Sequence, residues 1–506
     1  MISFKPIHTL GDYLDGQFKL PKEPSGEIES INPGNLKDPL GRFSYCFSHV
    51  DQAVASAQQA FETWRKSSLK DRASCFTKLT SEIKAHEDEL SILISRETGK
   101  PLWESKTEVH SLISKITITL DKSLKLIEDQ KIPDVFPHVA GRIHFKPKGV
   151  MVVLGPFNFP AHLPHGHIVP ALLTGNTVIF KPSEFTPAVG QKMAELFHRA
   201  NFPKGVFNVI QGEKEIGKRL CQHPDIHGIL FTGSYEVGLA IKSDVLHHYW
   251  KTVVLEMGGK NAAIVLEDAP FEKALLECLK GAYITSGQRC SATSRILVAE
   301  TIAQKFIESF HALAKKIKIG YAFQDETEQP FMGPLIHESA QEKYLRFQGI
   351  AEREGAQTIM RGKKQESDFP GYYVTPSIFQ LPKVKKESTY LQTEIFGPSV
   401  SIQVVRDLEE ALSLANESHF GLALSIFSKK RSNFEKTLED SYTGLVNWNH
   451  ATVGASSRLP FGGQKKSGNQ SPTALFAPYY CTYPVASLED ETEKMDFLPG
   501  LPHDLI

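Results

Sequence analysis

From Gly149 onward the chain repeats one unit, a short β-branched run followed by a turn and a segment of helical spacing. The runs fall at 150–154, 177–180, 207–210, 229–232 and 252–255, with helical segments such as 188–200 and 235–247 between them. A helix inserted between two strands carries the chain back to the end where the first strand began. The strands then pair in parallel, and helices cover both faces of the sheet. After Gly258 and Gly259 a second series opens: a strand over 262–266, a helix over 271–286, a strand over 295–298 and a helix over 302–315. It runs on to about residue 446, so the glycine pair marks a domain junction. The rhythm alone therefore predicts an α/β protein with two parallel sheets.

The flanking regions read differently. Over 52–130 apolar residues recur at three- and four-residue spacing, as in Phe76, Leu79 and Ile83, or Leu90, Leu93 and Ile94, which predicts helices. Pro133, Pro137 and Pro147 then bracket an extended run over 142–146. Proline has no N–H to give a helix and clashes with the preceding turn, so this stretch is an extended excursion or linker. From about Pro478 the sequence PYYCTYPVASLE is aromatic and β-prone, and reads as a strand that pairs elsewhere.

Charge and cysteine content exclude several classes. The 57 basic and 58 acidic side chains nearly cancel, so there is no global attraction to nucleic acid or to an anionic membrane. No apolar run reaches the roughly 18 residues of a membrane helix. The N-terminus lacks a basic stretch followed by an apolar core, so it does not read as a signal peptide. Cys46, Cys75, Cys221, Cys278, Cys290 and Cys481 are scattered, with no CxxC pair. That fits a reducing, cytoplasmic setting and argues against a disulfide framework or a zinc site. His162, His165 and His167 cluster in HLPHGH, but no carboxylate or thiolate adjoins them and no metal is expected there. The segment 212–218, GEKEIGK, resembles a phosphate loop, yet Arg219 stands where a magnesium-binding hydroxyl is required. The glycine fingerprint G-x-G-x-x-G is absent from the sequence.

Three segments carry more chemistry. TGSYEVG (232–238) follows a strand and opens a helix, where free N–H groups suit a phosphate, although any strand-to-helix turn favours glycine. LEMGGK (255–260) sets Glu256 at a strand end, as either a salt-bridged carboxylate or a base of raised pKa. SGQRCS (286–291) sets Cys290 in a polar loop beside Arg289, a setting that favours a thiolate over a packed structural cysteine.

These segments belong to an ordered set: GPFNFP (155–160), FKPSE (180–184), FTGS (231–234), LEMGGK, GQRC (287–290), EIFGP (394–398) and PFGG (460–463). In this order, and with 34 residues separating Glu256 from Cys290, the chain resembles the aldehyde dehydrogenase superfamily over nearly its whole length. The resemblance implies two Rossmann-like parallel-sheet domains plus a small β oligomerisation element. The NAD-binding domain would comprise 1–130 and 149–257, and the catalytic domain 258–460. The oligomerisation element would comprise 131–148 and 478–506, giving a homodimer or homotetramer.

The resemblance also implies roles. Cys290 would be the nucleophile, Asn158 the amide donor to the developing oxyanion, and Glu256 the base that hydrolyses the thioester. Lys181 and Glu184 would contact the adenine ribose of NAD, with Glu184 disfavouring a 2′-phosphate. Gly233, Ser234 and Gly238 would form the pyrophosphate turn, and Glu394 and Phe396 would contact the nicotinamide end. The segments 163–184, 447–457 and 479–489 are similar to the branch of the superfamily that oxidises N-succinylglutamate 5-semialdehyde in arginine degradation. Such a substrate carries two carboxylates, for which His165, His167, Ser456, Ser457 and Arg458 are candidates. The alternative is NAD- or NADP-dependent oxidation of another semialdehyde or of a general aldehyde.

Overall fold

The computed structural model describes residues 4–324, 328–382, 387–494 and 498–500. Two three-residue strands, β1 (Asp12–Leu14) and β2 (Gln17–Lys19), form a hairpin near the start. A second hairpin joins β3 (Gly26–Ile31) to β4 (Pro39–Tyr45). The helices predicted over 52–130 are α1 (Ser48–Trp64), α2 (Leu69–Ala85), α3 (Glu87–Thr98) and α4 (Leu102–Asp121). Ser68 and Asp71 form a reciprocal capping box that starts α2, each side chain satisfying the other's free N–H.

The excursion is two strands, β5 (Gln130–Phe136) and β6 (Val139–Pro147). Their register breaks between Ile132 and Phe136, around Pro133, which has no N–H to pair. The first alternating series then follows: β7 (Val150–Leu154), α5 (His162–Leu173), β8 (Thr177–Lys181), α6 (Pro187–Arg199), β9 (Phe207–Val209), α7 (Lys214–Gln222), β10 (Gly228–Thr232), α8 (Tyr235–Asp244) and β11 (Thr252–Glu256). The sheet order is β11-β10-β7-β8-β9-β1-β2. The early hairpin thus closes the far edge of a sheet whose other members come more than a hundred residues later. Every residue of β7 and β8 is buried, as expected for strands covered on both faces.

The second series opens with β12 (Asn261–Val265), α9 (Phe271–Tyr283), β13 (Thr293–Ala299) and α10 (Glu300–Ala314). Its sheet runs Gln357–Met360, Ser377–Gln380, Ser399–Val405, β13, β12, Ala423–Phe427, Leu445–Trp448, all parallel except the first pair. The predicted helix over 271–286 stops at Tyr283, because Thr285 and Ser286 adopt left-handed backbone angles.

The tail differs from a plain strand. Ala477–Cys481 is a single helical turn with a proline in its first positions, which helices tolerate. The strand Thr482–Asp490 begins after it and pairs along all nine residues with β6, giving a small sheet in the order 482–490, β6, β5. The predicted tail element extended to residue 506; of that, 495–497 and 501–506 lie outside the described residues. Among the described residues no helix is long and apolar enough to cross a membrane.

The topology sets where chemistry can occur. In the first sheet Leu154 pairs with Lys181 and Phe231, and Thr232 pairs with Glu256, so four strands end together at their carboxyl edge. In parallel α/β sheets that edge is where crevices form. In the second sheet the segments 258–260, 290–292 and 394–398 all precede strands, at the amino edge. The two edges share one cavity.

Candidate active site

A cavity of about 810 Å³ is lined from both edges, by Asn158, Lys181, Glu184, Gly233, Ser234 and Glu256 of the first unit and by Cys290, Glu394 and Phe396 of the second. Residues spread over more than 230 positions are thereby gathered around one space.

Asn158 follows β7 and is 5% exposed. Its Oδ1 accepts from the Phe159 N–H at 3.1 Å and its Nδ2 donates to the Gln288 carbonyl at 2.9 Å. One amide hydrogen is left for the cavity. The next helix, α5, is fixed by Glu108 of α4, whose Oε1 accepts from the Ala161 and His162 N–H groups at 3.0 and 3.1 Å. A buried carboxylate here satisfies donors that a helix start leaves free and complements its positive end.

The loop bearing Cys290 is tied down on both sides. Asn261 donates to the Cys290 carbonyl at 2.7 Å, and the Thr452 hydroxyl donates to the Ser291 carbonyl at 2.6 Å. Upstream, Thr285 and Ser286 hold φ of 56° and 55°, a backbone region that L-residues enter only when their surroundings hold them there. Glu104 of α4, fully buried, does so: Thr285 donates to it, and Arg289 donates to it at 2.9 Å and to the Thr285 hydroxyl oxygen at 2.6 Å. The Arg289 charge still favours a Cys290 thiolate, as the sequence suggested, but its effect is smaller than that of burial. The guanidinium is committed to Glu104 and to the Phe159 ring 4.8 Å away. Burial, with Glu394 and Glu256 adding to it, pushes the thiol up to about 12.

Glu256 is 5% exposed, and its Oε2 has no hydrogen-bond partner. Among the described residues no cation pairs with it, so the salt-bridged reading of this strand end does not hold. Burial raises its pKa well above the carboxylate range. Glu394 accepts from the Gly259 N–H at 3.0 Å, and burial pushes it up to about 7. A Cβ on Gly258 would collide with the Glu394 carboxylate, which explains the first glycine of LEMGGK as a close approach between the two units. Phe396 holds a φ of 59° and sets its ring edge-on to Phe157, with centroids 5.7 Å apart.

On the other side of the cavity Lys181 is 7% exposed, donates to the Pro182 carbonyl at 2.8 Å and lies 3.7 Å from the Glu184 carboxylate. Ser234 caps α8, accepting from the Val237 N–H at 3.3 Å. An ammonium beside a carboxylate suits a ribose diol, and a helix start on a cavity wall suits a phosphate. This donor set fits a nicotinamide dinucleotide.

Gly238 departs from its expected place. It does not line the cavity but lies within α8, where a Cβ would sit 2.5 Å from the Met257 sulfur; its role is to let α8 pack on β11. HLPHGH opens α5. His165 is fully buried away from the cavity against Phe197, whereas His162 and His167 line it. Ser456 and Ser457 line it too, but Arg458 is exposed and outside. Sequence reading missed Glu104 and Lys115. Both fall on the buried stripe of α4 with Glu108, Leu112 and Ile116, and a charge on an apolar stripe was the available signal.

Two facing sheets, with a dinucleotide-sized cavity and a cysteine, a carboxylate and an amide between them, define an oxidoreductase that works with an NAD-type cofactor. More narrowly, the chain belongs to the aldehyde dehydrogenase family, whose model matches residues 20–478. It is 38% identical to N-succinylglutamate 5-semialdehyde dehydrogenase of Novosphingobium aromaticivorans, over 90% of this chain and 95% of that one. It is equally similar to the Yersinia pestis protein of that name, with 90% of each chain covered. Among solved structures, 1-pyrroline-5-carboxylate dehydrogenase from Thermus with bound NAD superposes with a TM-score of 0.88 at 31% identity, covering 95% of this chain and 93% of that one. Betaine aldehyde dehydrogenase from Staphylococcus aureus, in complex with NAD+, gives 0.88 at 29% identity, covering 96% and 98%.

Proposed function

We propose that the chain oxidises N-succinylglutamate 5-semialdehyde to N-succinylglutamate with NAD, a step of arginine degradation. The observation that carries the substrate is the 38% identity to curated dehydrogenases of that semialdehyde across nine-tenths of the chain. What supports the chemistry is the convergence of Cys290, Asn158 and Glu256 on one cavity.

An aldehyde releases hydride readily only once its carbon is tetrahedral. The Cys290 thiol releases its proton to solvent and the sulfur adds to that carbon, splitting one hard step into two easier ones. The oxygen gains negative charge, which the free Asn158 amide hydrogen and the Cys290 N–H stabilise; one such donor is typically worth about 3 kcal/mol in the transition state. When bound, the oxidised nicotinamide would supply the hydride acceptor, and loss of the hydride with the hydroxyl proton leaves the substrate carbon as a thioester of Cys290. Glu256, in its ionised form, then takes a proton from water, which attacks the thioester carbon, and passes the proton to the departing Cys290 sulfur, releasing the acid and the thiol. A carboxylate in that position favours a free acid as product over an acyl-CoA. Lys181 and Glu184 hold the ribose hydroxyls, and the Glu184 carboxylate repels a 2′-phosphate, which favours NAD over NADP. The small sheet joins subunits into a dimer or a dimer of dimers.

The test is dinucleotide reduction by the purified protein with N-succinylglutamate 5-semialdehyde, glutamate semialdehyde and succinic semialdehyde, using NAD and NADP. The highest kcat/KM is expected for the first substrate with NAD. A preference for either shorter semialdehyde would assign the protein to that substrate instead. Cys290→Ala is expected to abolish turnover while NAD still binds.

A further inference from the structure

Lys115 is the one buried lysine of α4's inner stripe that reaches the cavity. It is 1% exposed and its Nζ donates to the Ala474 carbonyl at 2.8 Å. No carboxylate among the described residues pairs with it, and burial lowers its pKa to about 8. An ammonium has three N–H donors, so this one has donors to spare in a place where unmet donors are costly.

It lines the cavity together with residues that the mechanism above leaves unused. His162, Gly166 and His167 come from α5, Ala474 from the short bridge of 473–474 to 460–461, and Ser456 from the preceding loop. His167 is engaged by the Tyr480 hydroxyl at 2.9 Å and the Thr232 hydroxyl at 3.3 Å. The Nδ1 of His162, by contrast, is buried and has no partner.

Gly166 is the second observation. A glycine inside a helix costs about 1 kcal/mol relative to alanine. Most glycines that persist there avoid a clash, but a Cβ on Gly166 would meet nothing within 4 Å. Its missing side chain is therefore open room on the cavity wall, on the same helix as His162 and His167, both of which feel the Lys115 charge.

We propose that Lys115 anchors a substrate carboxylate remote from the aldehyde, with Gly166 leaving the room for the substituent that bears it. This rests on the substrate reading above and names the residue that would enforce it. Lys115 touches the substrate in this scheme but takes no part in the bond changes at Cys290.

The experiment is steady-state kinetics of the NAD-loaded enzyme and its variants on N-succinylglutamate 5-semialdehyde and on propanal, a small uncharged aldehyde. Lys115→Met is expected to raise KM for the dianion roughly tenfold to a hundredfold, the usual effect of losing a charge-assisted contact. It should leave propanal within about twofold, and Lys115→Arg should restore most of the difference. Equal changes on both substrates, or no change on either, would overturn the anchor. Should Lys115→Met not fold, Gly166→Leu fills the room from the opposite helix. It is expected to raise KM for the succinylated substrate and spare propanal, and an unchanged KM for the former overturns the proposal. A wild type that prefers propanal sinks the substrate reading and this inference with it. A wild type that prefers the succinylated substrate, with Lys115→Met indifferent, sinks this inference alone.

Discussion

At the scale of single residues, Glu256 shows function set against stability. A buried carboxylate with one oxygen unpartnered does not hold the fold together. Its folded-state pKa is raised, so between the unfolded value near 4.5 and the raised value the folded state holds a proton that the unfolded state has released. Stability from this group is thus fully present below pH 4.5 and is lost as pH rises through that window. Glu256→Gln removes this dependence. Thermal melts should show the variant gaining on the wild type from pH 5 to pH 8, and a constant difference would mean that Glu256 is already ionised in the resting protein. If Glu256 activates the hydrolytic water, rapid mixing of the same variant with aldehyde and NAD should give a burst of NADH followed by a slow phase. Loss of the burst would place its role before hydride transfer.

At the scale of elements, the turn over 284–287 aims Cys290, and α4 controls that turn. The Glu104–Arg289 pair is largely out of water, with side-chain exposures of 0% and 15%. Removing one partner of such a pair leaves the other charge uncompensated, at about 3–5 kcal/mol. Glu104→Ala should lower the urea midpoint accordingly and reduce kcat, since Thr285 and Arg289 lose their common acceptor. Normal kcat in a destabilised variant would mean that the turn keeps its shape without Glu104. Motif reading located this loop by its GQRC signature but missed that Arg289 is also held by Glu104. Adjacency in sequence places a guanidinium near a thiol, whereas its direction is set by a carboxylate 185 residues earlier.

At the scale of the whole molecule, the small sheet has an edge strand that none of the described residues covers. All seven residues of β5 are exposed, with Ile132 at 46% and Phe136 at 56%. An apolar edge strand is a template for pairing with another chain. Sedimentation velocity at micromolar concentration should show a dimer or tetramer, and Ile132→Lys with Phe136→Lys should shift it toward monomer while leaving the melt nearly unchanged. A wild-type monomer would remove the oligomerisation role from this sheet.

The alternation of strands and helices from Gly149 onward was legible in the sequence, because it rests on short-range physics, namely the two periods of burial and the few residue types that tight turns accept. Cys290, Glu256 and Asn158 were singled out by the order of the motifs that carry them, which is a resemblance and not a period. The strands β1 and β2 were not legible, since three residues carry no period and only the distant β9 gives them a partner. The protonation of Cys290 and Glu256, the exclusion of Arg458 and His165 from the cavity, and the place of Lys115 in its wall were decided by tertiary structure alone. Each depends on what is removed from water and on which side chains meet across hundreds of residues, and a charge takes its meaning from those neighbours.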